Sequence, residues 1–433
     1  MKFETVKSFI LICLVVISIS LTLGLWYYQP VYDELYEEGS VGELETDIGG
    51  KENNLPDVVI PNDVIFHNNV TEQHFTFEHP SEYIQLYHKM QSWSLTEFED
   101  RIVQGIPKDD EQVEIRFPTE IPMSLLGNLF SVSDDVALPT WSFQNIFISF
   151  DKSSSLLEFT FVSKDKKNSS TAKVHHKNAY DLLWAYISAP QGMEQLIASD
   201  ITDKDDEPIY IPYEAISMTG YTLSIDETDP NRLVNALFNK PSLVSTNSAE
   251  SYFTDGLRGM DLLNNNMSVE FFNPYSGTYD RMEVSDLLDK TINKINDHMG
   301  WTNDYYLFDV EASTNQVKFQ MHYKGYPVFD YSNLSSIILQ WRNQELYQYD
   351  RPLFQIKNVL RQDTKTLVSG EQVIEKLKNS PNYNMSKIRD LKVGYRLSYK
   401  ESTQTITLNP AWYVNYDGNW RELSFEEDDE LRE

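Results

Sequence analysis

The sequence predicts an α+β protein: one N-terminal transmembrane helix, then an extracytoplasmic region of about three α+β modules. Three observations point to this class. A charge-free apolar run opens the chain. Beyond it, segments with a helical apolar period alternate with segments whose apolar residues fall at every second position. A helix followed by meandering antiparallel strands then occurs twice, which predicts that the last two modules share a helix-on-antiparallel-sheet topology.

The opening run covers Ser8 to Tyr28, and from Ser8 onward no charged residue appears before Asp33. Some 20 residues rising about 1.5 Å each cross the roughly 30 Å hydrocarbon core, where a charge would cost about 2.5–3.5 kcal/mol. Lys2 and Lys7 precede the run, whereas Asp33, Glu34, Glu37 and Glu38 follow it. The positive-inside rule therefore keeps a short head, residues 1–7, in the cytoplasm and sends the bulk of the chain outside. The run ends on Trp26, Tyr27 and Tyr28, which suit a membrane interface and lack the small residues of a signal-peptide cleavage site. The expectation is an uncleaved single-pass anchor over 8–28 in the cell membrane. Cys13, Ile17, Ser20 and Gly24 recur at helical spacing and share one face. Ser20 and Gly24 form a small-x-x-x-small step that lets a partner helix approach closely, although small residues also occur in spans without partners.

The 433 residues suit two or three domains beyond the anchor. Apolar content of 41% and aromatic content of 13% supply packed cores. A formal charge of −30, from 66 acidic and 36 basic residues, repels nucleic acid and anionic lipid head groups, so no nucleic-acid partner is expected. Cys13 is the single cysteine, so no disulfide can form outside the membrane.

Residues 29–56 read as an acidic linker in which Lys51 is the only base. The N-terminal module, 57–205, begins with an extended Phe75-Thr76-Phe77. Pro80-Ser81 opens a helix with apolar residues at Tyr83, Leu86, Tyr87, Met90 and Trp93. Gln144 to Val162 reads as two strands joined at 151–155, and a second helix runs from Asn178 as cap to Pro190. Lys204 to Pro208 marks a boundary. The central module, 206–312, has a strand over Ile211–Ser224, then Asp229-Pro230 as cap and first residue of a helix. Extended segments break at Asn264-Asn265-Asn266, and Ser285 caps a helix bearing Leu288, Ile292, Ile295 and Met299. Tyr305–Glu311 and Val317–Tyr323 form a hairpin, the second arm alternating Val317, Phe319, Met321 and Tyr323 with Lys318, Gln320 and His322. In the C-terminal module, 313–421, Ser369 and Gln372 make a capping box, and Asp417-Gly418 is a two-residue hairpin turn. The tail, 422–433, is acidic and reads as frayed.

No nucleophile elbow, phosphate loop or zinc-protease motif is present, and no cysteine nucleophile lies outside the membrane. His67, His74 and His79 lack metal-ligand spacing and read as satisfied core or surface histidines; His175 and His176 read as exposed. The acidic run Asp203–Glu207 has Pro208 where a calcium loop requires glycine. No catalytic residue, cofactor or metal ligand is assigned.

The opening into Leu25-Trp26-Tyr27-Tyr28-Gln29-Pro30-Val31-Tyr32-Asp33 resembles the YycH family of Gram-positive bacteria. The resemblance continues through Tyr252-Phe253-Thr254-Asp255-Gly256-Leu257-Arg258, Gly325-Tyr326-Pro327-Val328-Phe329 and Pro410-Ala411-Trp412. It implies a non-enzymatic regulator in the two-component system of the sensor histidine kinase WalK (YycG) and WalR (YycF), which governs cell-wall metabolism. It also implies a YycI-like membrane protein as second partner, contacts made partly through transmembrane helices, and three ectodomain modules of which the middle and last share a topology. A seven-residue head is too short for an output domain, so a signal would pass within the membrane or through the ectodomain. The rival readings are an extracytoplasmic ligand-binding or sensing protein acting without a kinase, and a wall-modifying enzyme.

Overall fold

The computed structural model describes residues 45–101, 106–133, 136–199, 201, 207–241, 244–247, 251–274 and 280–424, with positions 7, 14, 15 and 18. No helix among the described residues is long and apolar enough to cross a membrane. The expected span over 8–28 lies almost wholly outside the described residues.

Ten strands form the first sheet. They are β1 (Asp63–Asn68), β2 (Gln73–Phe77), β3 (Ser94–Arg101), β4 (Glu111–Pro122), β5 (Ser131–Val132), β6 (Ser142–Asp151), β7 (Leu156–Val162), β8 (Ser169–Val174), β9 (Met193–Ala198) and β10 (Tyr210–Pro212). Their order is β10-β9-β2-β1-β4-β6-β7-β8-β3-β5, antiparallel except between β3 and β5. The helices of this part are α1 (Leu55–Val58), α2 (Pro80–Gln91), α3 (Leu126–Leu129) and α4 (Lys177–Ser188). Register places Val64 and Phe66 beside Ile115 and Val113, and these beside Ile146 and Ile148, on one buried face. Tyr186 of α4 meets Phe66 and Phe77 there, and Tyr87 of α2 meets Phe117. The other face carries Asp63, Ile65 and His67 beside Arg116, Glu114 and Gln112.

Fourteen strands form the second sheet. They are β11 (Ile216–Glu227), β12 (Ser245–Thr246), β13 (Tyr252–Thr254), β14 (Gly259–Leu263), β15 (Ser268–Phe272), β16 (Asp304–Glu311), β17 (Gln316–Tyr323), β18 (Tyr326–Phe329), β19 (Ser336–Arg342), β20 (Glu345–Pro352), β21 (Phe354–Leu367), β22 (Ile388–Lys400), β23 (Thr405–Tyr416) and β24 (Asn419–Leu423). The order runs β12-β13-β14-β15-β20-β19-β17-β18-β22-β23-β11-β21, with β16 on β17 and β24 on β23. Its helices are α5 (Pro230–Leu237), α6 (Val284–Asn296) and α7 (Gly370–Asn379). The early strand β11 thus lies between the late strands β23 and β21, and the expected limit at 312/313 falls in the turn joining β16 to β17.

Local signals are realised closely. Asp229 accepts from the Asn231 amide at 3.0 Å, and Ser369 and Gln372 complete their reciprocal capping box. Asn264, Asn265 and Asn266 all take positive φ, as do Asp417 and Gly418 in the last hairpin turn.

Five expectations are corrected. The strand expected over Ile211–Ser224 breaks at 213–215: β10 joins the first sheet and β11 the second. The α4 cap is His176, not Asn178; its Nδ1 accepts from the Ala179 amide at 3.0 Å, an imidazole serving where a short polar side chain was expected. Helix α6 starts at Val284 behind Glu283 with no side-chain cap, so Ser285 is inside it. Gln320 interrupts the alternation of β17 by being buried. It is tolerated because its amide donates to the Val328 carbonyl and to Ser335 O and Oγ. Finally, the segment assigned to the linker is docked from Glu45 onward. Ile48 is buried, its amide donates to His298 O at 3.1 Å, and Lys51 bridges Trp301. A side chain at Gly50 would put Cβ 2.4 Å from Met299 O, so this approach requires glycine.

Candidate functional site at the junction of the two sheets

The alternation of β1 and β4 turns His67, Glu114 and Arg116 to the face away from α2 and α4. Arg116 grips Glu114 with two bonds, Nε to Oε1 at 2.8 Å and Nη2 to Oε2 at 3.1 Å, and donates a third to Pro208 O at 2.9 Å. Burial alone would raise the Glu114 carboxyl, but Arg116 and then His67 outweigh it and hold it down at about 2. Glu114 is therefore ionised, and His67 Nε2, 3.0 Å away, is the donor. His67 Nδ1 lies 2.8 Å from His74 Nδ1. Burial, then the neighbouring His67, lower His74 to about 4, which leaves it neutral at pH 7. The Tyr210 ring covers both imidazoles and the guanidinium.

The second sheet meets the first beside this cluster. Lys392 of β22 reaches Asp63 at 3.3 Å and Asp390 at 3.6 Å. Burial disfavours the Lys392 charge, but Asp63 and Asp390 overcome it and raise the ammonium above its ordinary value. Gly325, in the turn between β17 and β18, has φ +85° and sits so close to α2 that an added Cβ would lie 2.6 Å from the Ser81 nitrogen. The next residue, Tyr326, donates to Glu78 O at 3.4 Å. A cavity of about 130 Å³ opens at this junction, with Tyr83 and Glu194 on the first-sheet side and Phe308, Tyr326, Trp412 and Trp420 on the other.

A second surface lies at the end of the strand order. β21 pairs along its length with β11, and residues 357–366 are exposed on both faces. Val359 and Leu360 are 42% and 58% exposed. Lys357, Arg361 and Lys365 recur at every fourth position along this edge, a basic row on an acidic chain. An open strand edge is a template for pairing with another chain.

Of the residues singled out in the sequence, Cys13, Ile17, Ser20, Gly24, Trp26, Tyr27 and Tyr28 lie outside the described residues. His67 and His74 are brought together as satisfied histidines, whereas His79 stands apart, exposed at the start of α2. Among the described residues no group of three or more His, Cys, Asp or Glu is placed to hold a metal. Sequence reasoning missed Glu114, Arg116 and Lys392. Gln112, Glu114 and Arg116 alternate with Val113, Ile115 and Phe117, but a polar alternate face ordinarily means solvent.

The described residues thus carry a charged junction, a cavity and a strand edge at the end of the second sheet. The sequence profiles of the YycH protein, N-terminal domain, and the YycH protein, C-terminal domain, match residues 4–189 and 206–430, so the chain belongs to the YycH family. The chain is 22% identical to the two-component system WalR/WalK regulatory protein YycH of Bacillus subtilis (strain 168), over 96% of each sequence. Its fold is that of the crystal structure of YycH from Bacillus subtilis, with a TM-score of 0.74, 20% identity, and coverage of 88% of this chain and 99% of that one. The protein is a regulator and not an enzyme.

Proposed function

We propose that this protein is a membrane-anchored regulator of a WalR/WalK two-component system, modulating the sensor histidine kinase that controls cell-wall metabolism. The observation that carries the reading is end-to-end similarity, over 96% of both chains, to a WalR/WalK regulatory protein. In this reading residues 8–28 span the cell membrane, the N-terminus is cytoplasmic and the bulk of the chain extracytoplasmic. Cys13, Ile17, Ser20 and Gly24 face the helices of the kinase and of a YycI-like partner, with Trp26, Tyr27 and Tyr28 at the interface. The ectodomain adds a contact through the basic edge of β21. Its modules lie at 57–205, 206–312 and 313–421. The last two are read as related units; α6 before the β16–β17 hairpin and α7 before the β22–β23 hairpin support this, the first hairpin running across the 312/313 limit.

A kinase with two signalling states responds only to unequal binding of those states, and a tenfold bias requires about 1.4 kcal/mol, within reach of helix packing. The test is photocrosslinking in membranes from positions 13–24, followed by identification of the captured protein. Capture of the kinase or the YycI-like protein, lost when Ser20 and Gly24 are both replaced by Leu, is expected. An unrelated span in place of 8–28 that leaves kinase output unchanged sinks the proposal. The cavity favours a second reading, an extracytoplasmic ligand-binding or sensing protein acting without a kinase.

A further inference from the structure

Within the junction cavity, the Glu194 side chain differs from the neighbouring acids Glu114 and Asp63 in its lack of a cation partner among the described residues. Glu114 and Asp63 each have a cation within 3.3 Å. Among the described residues, the Glu194 carboxylate has neither an ion pair nor a hydrogen bond, although it lines the cavity. The charge that acts on it is that of a second acid, Glu78, at the end of β2, whose own carbonyl is held by Tyr326. The cavity is also walled by Tyr83, Tyr326, Phe308, Trp412 and Trp420, and by Asp63, His322 and Lys392, whose ammonium is held by Asp63 and Asp390.

A carboxylate without a cation partner in a cavity lined by several aromatic rings suits an organic cation, because ring quadrupoles and carboxylate both attract positive charge, while the neighbouring Lys392 is already neutralised by Asp63 and Asp390. We propose that the junction cavity binds a small organic ammonium, its charge against Glu194 with Glu78 at the same end, and its apolar body against Tyr326 and the two tryptophans. The proposal is independent of the kinase reading, since the site lies in the folded body and needs no partner chain. It places the ligand between the two sheets, where occupancy would tighten their contact.

The empty site has a property that the test can use. Burial, then repulsion from Glu78, raise the Glu194 carboxyl to about 7, so a bound cation displaces a proton near neutral pH. The experiment is isothermal titration calorimetry on the full-length chain in detergent solution, with n-butylammonium and tetramethylammonium as probes and n-butanol as uncharged control. Saturable binding at pH 8 by at least one cation, with butanol about tenfold weaker or silent, is expected. Affinity should fall at least tenfold from pH 8 to pH 5.5, and the proton released should show as a dependence of the heat on buffer ionisation. Glu194→Gln should lose about tenfold in affinity while unfolding no earlier than the parent chain. Absence of saturable binding by both cations at pH 8 overturns the proposal. So does undiminished binding by Glu194→Gln, or an affinity that does not change with pH.

Discussion

The two sheets treat charge in opposite ways. On the first, Glu114, Arg116 and His67 are turned inward, and each finds a partner at about the length of a hydrogen bond. On the second, β21 carries Lys357, Arg361, Asp363 and Lys365 outward along an edge that leaves both of its faces bare. The contrast follows from the cost of desolvation. A buried charge persists only where its partner is held in place, so the first sheet's cluster specifies one geometry. An exposed strand carries no such demand: Lys357 meets Asp226 at 3.2 Å, yet residues 357–366 stay exposed to another molecule. The inward region holds the fold together; the outward region is available for contact.

The contrast can be broken most directly at Glu114. Replacement by Ala strands a buried guanidinium and is expected to cost about 3–5 kcal/mol in chemical denaturation. A loss below about 1 kcal/mol would mean that the cluster does not hold the fold. Next in size is Gly325→Ala, which meets both a positive φ and a 2.6 Å contact with Ser81. It should destabilise by roughly 2 kcal/mol and loosen the junction, measured as faster amide hydrogen exchange at 81–83.

The second sheet has its own buried acid, Asp350, opposite Glu270 in the pairing of β15 with β20. Burial first, and Glu270 in part, push its carboxyl up to about 7, against the help of Gln348. Its value when folded exceeds the unfolded 3.8, so the folded chain keeps a proton that the unfolded chain releases. The stabilising effect is full below about pH 4 and is lost as pH rises to about 7. Asp350→Asn should remove that loss and raise stability at pH 8 by roughly 2 kcal/mol, with little gain at pH 4. A gain of equal size at both values would assign the effect to packing. The smallest expected effect is at the edge itself. Leu360→Lys should shift stability by less than about 0.5 kcal/mol, yet reduce capture of the partner membrane protein in pull-downs. A large stability loss would show that β21 belongs to the core, and unchanged capture would remove it as a contact.

What the sequence determined by itself is local. The apolar period and Pro80 of α2, the Asp229 cap of α5, the capping box of α7, and the turns at Asn264–Asn266 and Asp417-Gly418 depend on contacts within four residues, and all are realised. Family membership was legible as well, because it is spread along the whole chain. The tertiary structure alone decided that Glu114 meets His67 and that Lys392 reaches Asp63. It also decided that β11 lies between β21 and β23, and that residues 45–56 dock at Trp301. A period of two tells which side chains share a face, but not whether a distant strand or a second sheet will cover that face. Burial of the charged face, and with it the candidate site, therefore had no local signature.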